Sequence, residues 1–156
     1  MYITLCNVME VGTYNEHSIY RISDVDSLLN ALEQFVPIGY DEISVAFVSE
    51  ATICKLHAQF LNNEDPTDVI TFPADKSDPE KLGEICISVD EALKYVSINT
   101  LADELTLYLV HGWLHLAGYD DIDENDRLKM RQMEQAALHF LDGQICSRVK
   151  VDCCQG

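Results

Sequence analysis

The chain has 156 residues, the length of one domain with a single hydrophobic core. It contains no apolar run of the roughly 20 residues that a membrane-spanning helix needs, so no membrane association is expected. Acidic residues outnumber basic ones by 27 to 10, and the net charge of −17 taken alone disfavours nucleic acid and anionic membranes as partners.

The N-terminal residues and the cysteines both predict a reducing, cytoplasmic environment. The first four residues lack a basic segment followed by an apolar one, so no secretory signal is predicted and a cytoplasmic location is expected. No two of the six cysteines form a C-x-x-C pair, and free thiols are expected in a reducing compartment. Cys153 and Cys154 are adjacent near the C-terminus, and chance explains that pair better than a metal site. Three cysteines lie in apolar stretches and are predicted to be buried: Cys6, Cys54 and Cys86.

Strand and helix signals alternate over the first part of the chain. Ser23 is a favourable N-cap for a helix whose apolar residues follow helical spacing up to Val36, and Pro37 ends it. Ser49 is predicted to cap a second helix, with Ile53 on its apolar face. Strands are expected where β-branched or apolar runs are bounded by turn residues. These runs are 2–8, 43–48, 68–73 and 82–88.

Helices dominate the second part of the chain. The segment 102–117 is apolar nearly all round, which is typical of a helix buried at the centre of a small domain. Early strands and late helices indicate an α+β fold, in which helices pack on one small mixed sheet. A single domain is predicted over residues 1–143, followed by a loosely held C-terminal tail at 144–156. The remaining predicted helices are 89–96 and 124–141.

The most informative feature is a pair of histidines followed by a glycine and two aspartates. His111 and His115 are four residues apart, so they face the same side of a helix. Gly118 stands where a residue with positive φ commonly ends a helix. The resulting turn brings a carboxylate toward the imidazoles, with Asp121 preferred and Asp120 as the alternative. Two nitrogens and one oxygen would then bind Zn²⁺ and leave one tetrahedral position open, which is typical of a catalytic site.

The same residues admit two other interpretations. A single histidine on a buried helix is usually hydrogen-bonded to backbone carbonyls, but a pair at this spacing favours a metal. The spacing H-x3-H-x5-D, with a glycine after the second histidine, is also close to the zinc-peptidase pattern of the metzincins. In those enzymes a glutamate follows the first histidine as general base, and Gly112 occupies that position here. The motif therefore predicts a metal-dependent hydrolase with a zincin-like ligand arrangement on a central helix, and it argues against a conventional peptidase.

Three blocks in a defined order make the chain resemble the YbeY family of bacterial endoribonucleases. Residues 61–73 are similar to the family's Pro-Thr-Asp-Val-Leu-Ser-Phe-Pro segment, and residues 82–88 are similar to its Leu-Gly-Asp-Ile strand. The third block is the histidine motif itself. The resemblance as a whole runs roughly from Ser44 to Leu141.

The resemblance implies a function that composition and spacing do not supply. It implies a single α+β domain with one zinc ion per chain and single-strand-specific cleavage of RNA. The implied role is maturation of the 3′ end of the small-subunit ribosomal RNA, together with ribosome quality control. The implied partners are ribosomal RNA and the small ribosomal subunit, with ribosomal proteins as further partners.

Two positions depart from the family's usual residues. Asp121 stands where a third histidine is usual, and a carboxylate, although a competent zinc ligand, neutralises part of the charge on the ion. Leu61 stands where an arginine is usual, and leucine cannot contact a phosphate. The phosphoryl charge must then be neutralised by the metal or by another cation, such as Arg127. Arg127, Lys129 and Arg131 follow the motif closely and predict either a local basic face or a solvated helix surface.

The general base is left open among three acidic residues. Asp68, Glu84 and Asp120 are the candidates. The structural alternatives are that Asp68 caps a turn, Glu84 faces solvent from a strand, and Asp120 hydrogen-bonds a metal-bound histidine. The main prediction is a zinc-dependent endoribonuclease. The alternatives are a metallopeptidase-like hydrolase and a non-catalytic, zinc-stabilised ribosome-assembly factor whose acidic surface binds basic proteins.

Overall fold

The structure is a computed structural model that describes residues 9–96 and 100–154. Within these residues, no helix has both the length and the apolar character needed to cross a membrane. In chain order the elements are β1 (Glu10–Asn15), β2 (Tyr20–Ser23), α1 (Val25–Phe35), β3 (Glu42–Val48), α2 (Glu50–Leu61), β4 (Val69–Phe72), β5 (Leu82–Ser88), α3 (Val89–Leu93), α4 (Leu101–Leu116), α5 (Glu124–Asp142) and β6 (Lys150–Cys153).

A four-stranded mixed sheet forms the middle layer. Its strand order is β1-β3-β5-β4, with β1, β3 and β5 parallel and β4 antiparallel to β5. β5 is an inner strand and is buried from Ile85 to Ser88, as expected where both sheet faces are covered. β2 and β6 pair antiparallel as a separate two-stranded sheet. The predicted α+β fold with a small mixed sheet is confirmed.

Helices cover the two faces of the sheet unequally. On one face α4 packs against the sheet and against α1 and α5, and the main hydrophobic core forms there. Trp113 of α4 is fully buried, and its indole N–H donates to the carbonyl of Val36 at 2.9 Å, which joins α4 to the end of α1. α4 is therefore the central helix, as predicted. On the other face α2 covers a smaller cluster of four buried residues: Val48, Ile53, Ile70 and Cys86.

Gly112 determines how closely α4 approaches the sheet. A Cβ atom at this position would lie 2.8 Å from Cγ2 of Ile85 and 3.2 Å from Cγ1 of Val69, which is too close for a side chain. The glycine therefore lets the helix backbone lie directly on β4 and β5. It also means that the position where zinc peptidases carry a glutamate has no room for one here.

The two predicted helix caps have different outcomes. Ser49 caps α2 as predicted, since its side chain accepts a hydrogen bond from the Thr52 amide. The prediction for Ser23 is wrong, because the N-cap of α1 is Asp24, which has a φ of 65° and makes no side-chain cap bond. Ser23 is the last residue of β2 and pairs with Lys150 of β6, which keeps its backbone extended.

The strand predictions are confirmed for β3, β4 and β5. The strand predicted at 2–8 lies outside the described residues. Sequence reasoning missed β1, because most of its side chains are exposed and show no apolar alternation, as is common for an edge strand. The helix predicted at 89–96 is shorter in the structure, where α3 ends at Leu93.

The C-terminal segment is docked on the domain. The prediction of a loosely held tail at 144–156 is wrong for its described part, because β6 pairs with β2. Val149 is 2% exposed, and its amide donates to the hydroxyl of the buried Thr106 on α4 at 3.0 Å. Arg148 forms ion pairs with one carboxylate on α4 and one on α5. The segment therefore contacts both α4 and α5 and holds them together.

The described cysteines are free thiols. Cys86 is buried, and this burial raises the pKa of its thiol to about 11, with the charge of Glu84 adding to the shift. Cys86 is therefore protonated and chemically inert near neutral pH. Cys54 is half-buried, contrary to the prediction of full burial, and Cys6 lies outside the described residues.

Ending the chain after Gly143 tests the docking of the C-terminal segment. We expect a large loss of stability, because the truncation removes the buried Val149 side chain and leaves the Thr106 hydroxyl without its partner. These losses are about 1.5–3 and about 1–3 kcal/mol of unfolding free energy, out of a total of about 5–15 kcal/mol for a domain. Thermal unfolding followed by circular dichroism measures the effect. A chain ending at Cys154 is the control, and equal melting temperatures for the two chains would contradict the docking.

Candidate metal centre

Defined caps at both ends of α4 fix the positions of its histidines. The helix begins with a capping box at Thr100. At its other end the Gly118 amide donates to the carbonyl of His115. The Tyr119 amide donates to the carbonyl of Leu114, and the two bonds together form a Schellman motif. Gly118 has a φ of 101°, which confirms its predicted role as the residue that ends the helix.

Beyond this turn the chain returns Asp121 to the two histidines. The Nε2 atoms of His111 and His115 are 3.0 Å apart. Oδ2 of Asp121 lies 3.4 Å from the first of these nitrogens and 3.6 Å from the second. These three side chains form a group that could hold a metal ion. Asp120 is exposed and contributes no atom to the group, so the structure favours Asp121.

The three donor atoms have the spacing of a tetrahedral zinc site. With bonds of about 2.0–2.2 Å to imidazole nitrogen and carboxylate oxygen, two ligand atoms of a tetrahedron lie about 3.3–3.6 Å apart. Both distances to Asp121 are in this range and the distance between the two nitrogens is slightly shorter, so the side chains need only small movements to bind an ion. The side chains of His111, His115 and Asp121 are 19%, 23% and 42% exposed. The point that they surround is therefore accessible from solvent, which a catalytic site requires.

Glu134 on α5 orients His111. Its Oε1 atom lies 2.5 Å from Nδ1 of His111, so Nδ1 donates this hydrogen bond and Nε2 is left to bind a metal. Asp120 is one residue for which the sequence allowed a role of this kind, but in the structure Glu134 makes the contact. Sequence reasoning overlooked a usable signal, because Glu134 interrupts the buried stripe of α5 between Met130 and Ala137.

The carboxylates around His111 change its proton affinity. Burial lowers the pKa of His111, but the hydrogen bond and charge of Glu134 raise it, and the charges of Asp68 and Asp121 act in the same direction. The net pKa is above the ordinary value for histidine. A metal ion that binds here must displace a proton that these carboxylates help to retain.

Of the three candidate bases, Asp68 is the one whose charge acts on a histidine of the metal group. It is half-buried directly before β4, and its Oδ1 atom accepts a hydrogen bond from the Val69 amide at 2.8 Å. The next residue, Val69, packs against Gly112, which is adjacent to His111 in α4, and the negative charge of Asp68 raises the pKa of His111. The hydrogen bond to Val69 also agrees with the predicted structural role of Asp68 at a turn.

Glu84 lies on the other side of the sheet. It is exposed on β5, and its neighbour Ile85 faces α4 at Gly112. Because successive side chains of a strand point to opposite faces, Glu84 points away from α4. The prediction of Glu84 as a base is therefore wrong, and the alternative of a solvent-facing strand residue is the one the structure has.

The positive charge next to the Asp121 loop comes from Arg127 of α5, and the end of α2 supplies none. Leu61 is 57% exposed at the end of α2 and offers no charge. Arg127 of α5 donates from Nη1 to the carbonyl of Ile122 at 2.8 Å and to that of Asp121 at 3.5 Å. Arg127 thereby braces the loop that carries the third member of the metal group.

Comparisons with known proteins agree with this geometry. The family model described as endoribonuclease YbeY matches residues 13–142. The chain belongs to the YbeY family. The endoribonuclease YbeY of Protochlamydia amoebophila is 43% identical over 120 residues, which cover 74% of this chain and 80% of that protein. The endoribonuclease YbeY of Chlamydia muridarum is 33% identical over 132 residues, which cover 76% of this chain and 82% of that protein.

A solved structure also supports the fold of this YbeY family member. The solution structure of TM1509 from Thermotoga maritima superposes with a TM-score of 0.54 at 29% sequence identity. The match covers 83% of this chain and 87% of that one. The similarity therefore extends over most of both chains.

Replacing Glu134 with glutamine is expected to weaken zinc binding by about 10- to 100-fold, because a neutral amide neither fixes the His111 ring as firmly nor strengthens its basicity. Competition with a chromophoric zinc chelator measures the affinity. Glu124→Gln, on the exposed first turn of the same helix, is the matched control. If Glu134→Gln bound zinc as tightly as this control, the hydrogen bond to His111 would have no part in holding the metal.

Proposed function

We propose that this protein is a zinc-dependent endoribonuclease that cleaves single-stranded RNA. Its proposed role is maturation of the 3′ end of the small-subunit ribosomal RNA, together with ribosome quality control. The observation that carries the proposal is the convergence of two imidazole nitrogens and one carboxylate oxygen at a solvent-accessible point. Membership of a family whose named relatives are endoribonucleases supports RNA as the substrate.

Zinc is proposed as the resident ion, one per chain, with His111, His115 and Asp121 as its ligands. Two imidazoles and one carboxylate are a donor set that zinc accepts in catalytic sites, and the spacing of the donor atoms supports this choice. When bound, zinc would stabilise negative charge on the phosphodiester and favour ionisation of the attacking water or ribose 2′-hydroxyl.

The protein's own side chains orient the centre and move the proton. Glu134 keeps the His111 ring in one orientation through its bond to Nδ1. Asp68 is proposed as the proton acceptor, because it precedes Val69, which packs against α4 at Gly112, and because its charge acts on His111 while Oδ1 takes the hydrogen bond from the Val69 amide. Among the described residues no hydrogen bond to Oδ2 of Asp68 is formed, which leaves that atom to accept a proton.

The proposed partners are ribosomal RNA, the small ribosomal subunit and ribosomal proteins, and the proposed location is the cytoplasm. An excess of negative charge fits contact with basic ribosomal proteins, since charge complementarity speeds and directs association. Because the net negative charge of the protein repels RNA, RNA must then be bound through a local basic surface.

Two alternatives compete with this proposal. A metallopeptidase-like hydrolase with the metzincin arrangement would need a glutamate at position 112, where a side chain would meet Ile85. A non-catalytic assembly factor is favoured by the net charge of −17 and by the exposed, uncharged Leu61. The second alternative is separated from the enzyme by measurement of cleavage.

Zinc-loaded protein is expected to cleave small-subunit ribosomal RNA, free or within ribosomal particles, and His115→Ala is expected to lower the rate by about two orders of magnitude or more. The physical reason is the loss of one of three metal ligands. Gel analysis of RNA fragments over time measures the rate. His139→Ala, an exposed histidine of α5, is the matched control and should cleave at the parent rate. Zinc-bound protein that recognises the particles but cleaves RNA in neither form would support the assembly factor.

Asp121→His is expected to move the pH–rate profile to lower pH. A neutral imidazole leaves more positive charge at the centre than a carboxylate does, and this favours ionisation of the attacking group at lower pH. Cleavage rates between pH 5 and 9, at zinc concentrations that saturate both proteins, measure the shift. An unchanged profile would show that the charge of Asp121 does not control the attacking group.

A further inference from the structure

The N-terminal half of α5 places two arginines in line with the metal centre. Arg127, Arg131 and Glu134 follow each other at intervals of four and three residues, so they form one stripe along the helix. Glu134 contacts His111 directly. By the helical rise of about 1.5 Å per residue, Arg131 is about 5 Å and Arg127 about 10 Å from Glu134 along the helix axis. The two arginines therefore extend outward from the centre along a single track.

Both arginines are exposed and available to an anion. They line one surface depression together with Leu128, Asn125 and Glu124, and the last of these adds one carboxylate at the start of the helix. Within residues 9–96 and 100–154, the ion pairs made by lysine or arginine involve Lys94 and Arg148, and none involves Arg127 or Arg131. Arg127 uses Nη1 to brace the loop, while no hydrogen bond or ion pair of Arg131 is found among the described residues.

Lys129 has the same charge but a different position. It is two residues from each arginine, so it lies on the other side of α5. There it lines a separate depression with Gly118 and Tyr119, at the end of α4. The three basic residues therefore lie on two different sides of α5. Arg127 and Arg131 share the stripe of Glu134, and Lys129 does not.

We propose that Arg127 and Arg131 bind the phosphates of a single-stranded RNA and lead the strand along α5 into the metal centre. This inference rests on the proposed function and adds the path of the substrate. Planar guanidinium groups suit phosphate oxygens, since they donate two parallel hydrogen bonds. The exposed Leu128 lies in the same depression and offers an apolar contact to a ribose or base.

Neither arginine belongs to the metal group, and this determines which kinetic constant they control. Because they lie about 5 and 10 Å from Glu134 along the helix axis, we expect them to contact phosphates that flank the cleaved one. Such contacts are made equally in the ground state and in the transition state, so their loss raises KM and leaves kcat nearly unchanged. Arg131 is the cleaner position to test, because Arg127 also braces the loop of Asp121.

The experiment compares Arg131→Gln with Lys129→Gln in the full-length, zinc-loaded protein. Each variant removes one exposed charge from the same helix, and glutamine is a good helix former, so both should fold. Fluorescence anisotropy with a labelled 12-nucleotide single-stranded RNA measures binding between 50 and 200 mM salt. We expect Arg131→Gln to weaken binding by about tenfold and to reduce the slope of log affinity against log salt by about one. Lys129→Gln should change affinity by less than about threefold.

The outcomes separate this inference from the proposed function. Equal losses in the two variants, no loss in Arg131→Gln, or no RNA binding by the parent protein would overturn the arginine track. Cleavage by the parent with an unchanged KM in Arg131→Gln would overturn the track and leave the enzyme in place. Binding that depends on Arg131 without cleavage in any format would support the track and overturn the endoribonuclease.

Discussion

The close packing of α4 on the sheet at Gly112 is the constraint on which the metal centre depends. Since no side chain separates the helix from β4 and β5 at this point, the orientation of the whole helix is fixed. Trp113 is then directed into the core toward α1, and His111 is directed toward α5, where it meets Glu134. The Schellman turn at Gly118 reverses the chain directly afterward. A side chain from the following loop can thereby reach the same point as the two imidazoles. The positions of the three side chains therefore follow from the close packing at Gly112, next to His111, and from the turn at Gly118.

Features that depend on neighbouring residues were predicted from the sequence, while contacts between residues far apart in the chain were not. The histidine pair, the helix-ending glycine and Asp121 all lie within eleven consecutive residues, so they could be placed together from the sequence. Glu134 is 23 residues from His111 in the chain, and its role depends on how α5 packs against α4. The docking of the C-terminal segment was not predicted for the same reason. The Val149 amide and the buried Thr106 hydroxyl are 43 residues apart in the chain and are in contact only in the folded protein. Glu84 was misjudged because strand alternation shows which residues share a face but not which face meets α4.

The charge distribution accounts for how an acidic protein could act on an acidic polymer. Carboxylates gather around the two histidines, where they would favour a divalent cation, and Glu134 holds the His111 ring in place. The net charge of −17 disfavours non-specific contact with RNA over most of the surface. Arg127 and Arg131 are an exposed basic pair on α5, on the stripe of the helix that also carries Glu134. Such a design would restrict RNA to one path and leave the remaining surface to basic protein partners.

Two histidines and one carboxylate are proposed to hold a catalytic zinc ion in this chain. X-ray absorption at the zinc K edge, on protein purified without added chelator or metal, tests this assignment. We expect about one zinc per chain, nitrogen and oxygen neighbours at about 2.0–2.2 Å, and outer-shell scattering from two imidazole rings. Sulfur neighbours at about 2.3 Å would contradict it by assigning the metal to cysteines. Absence of imidazole scattering, or of zinc itself after loading, would contradict it as well.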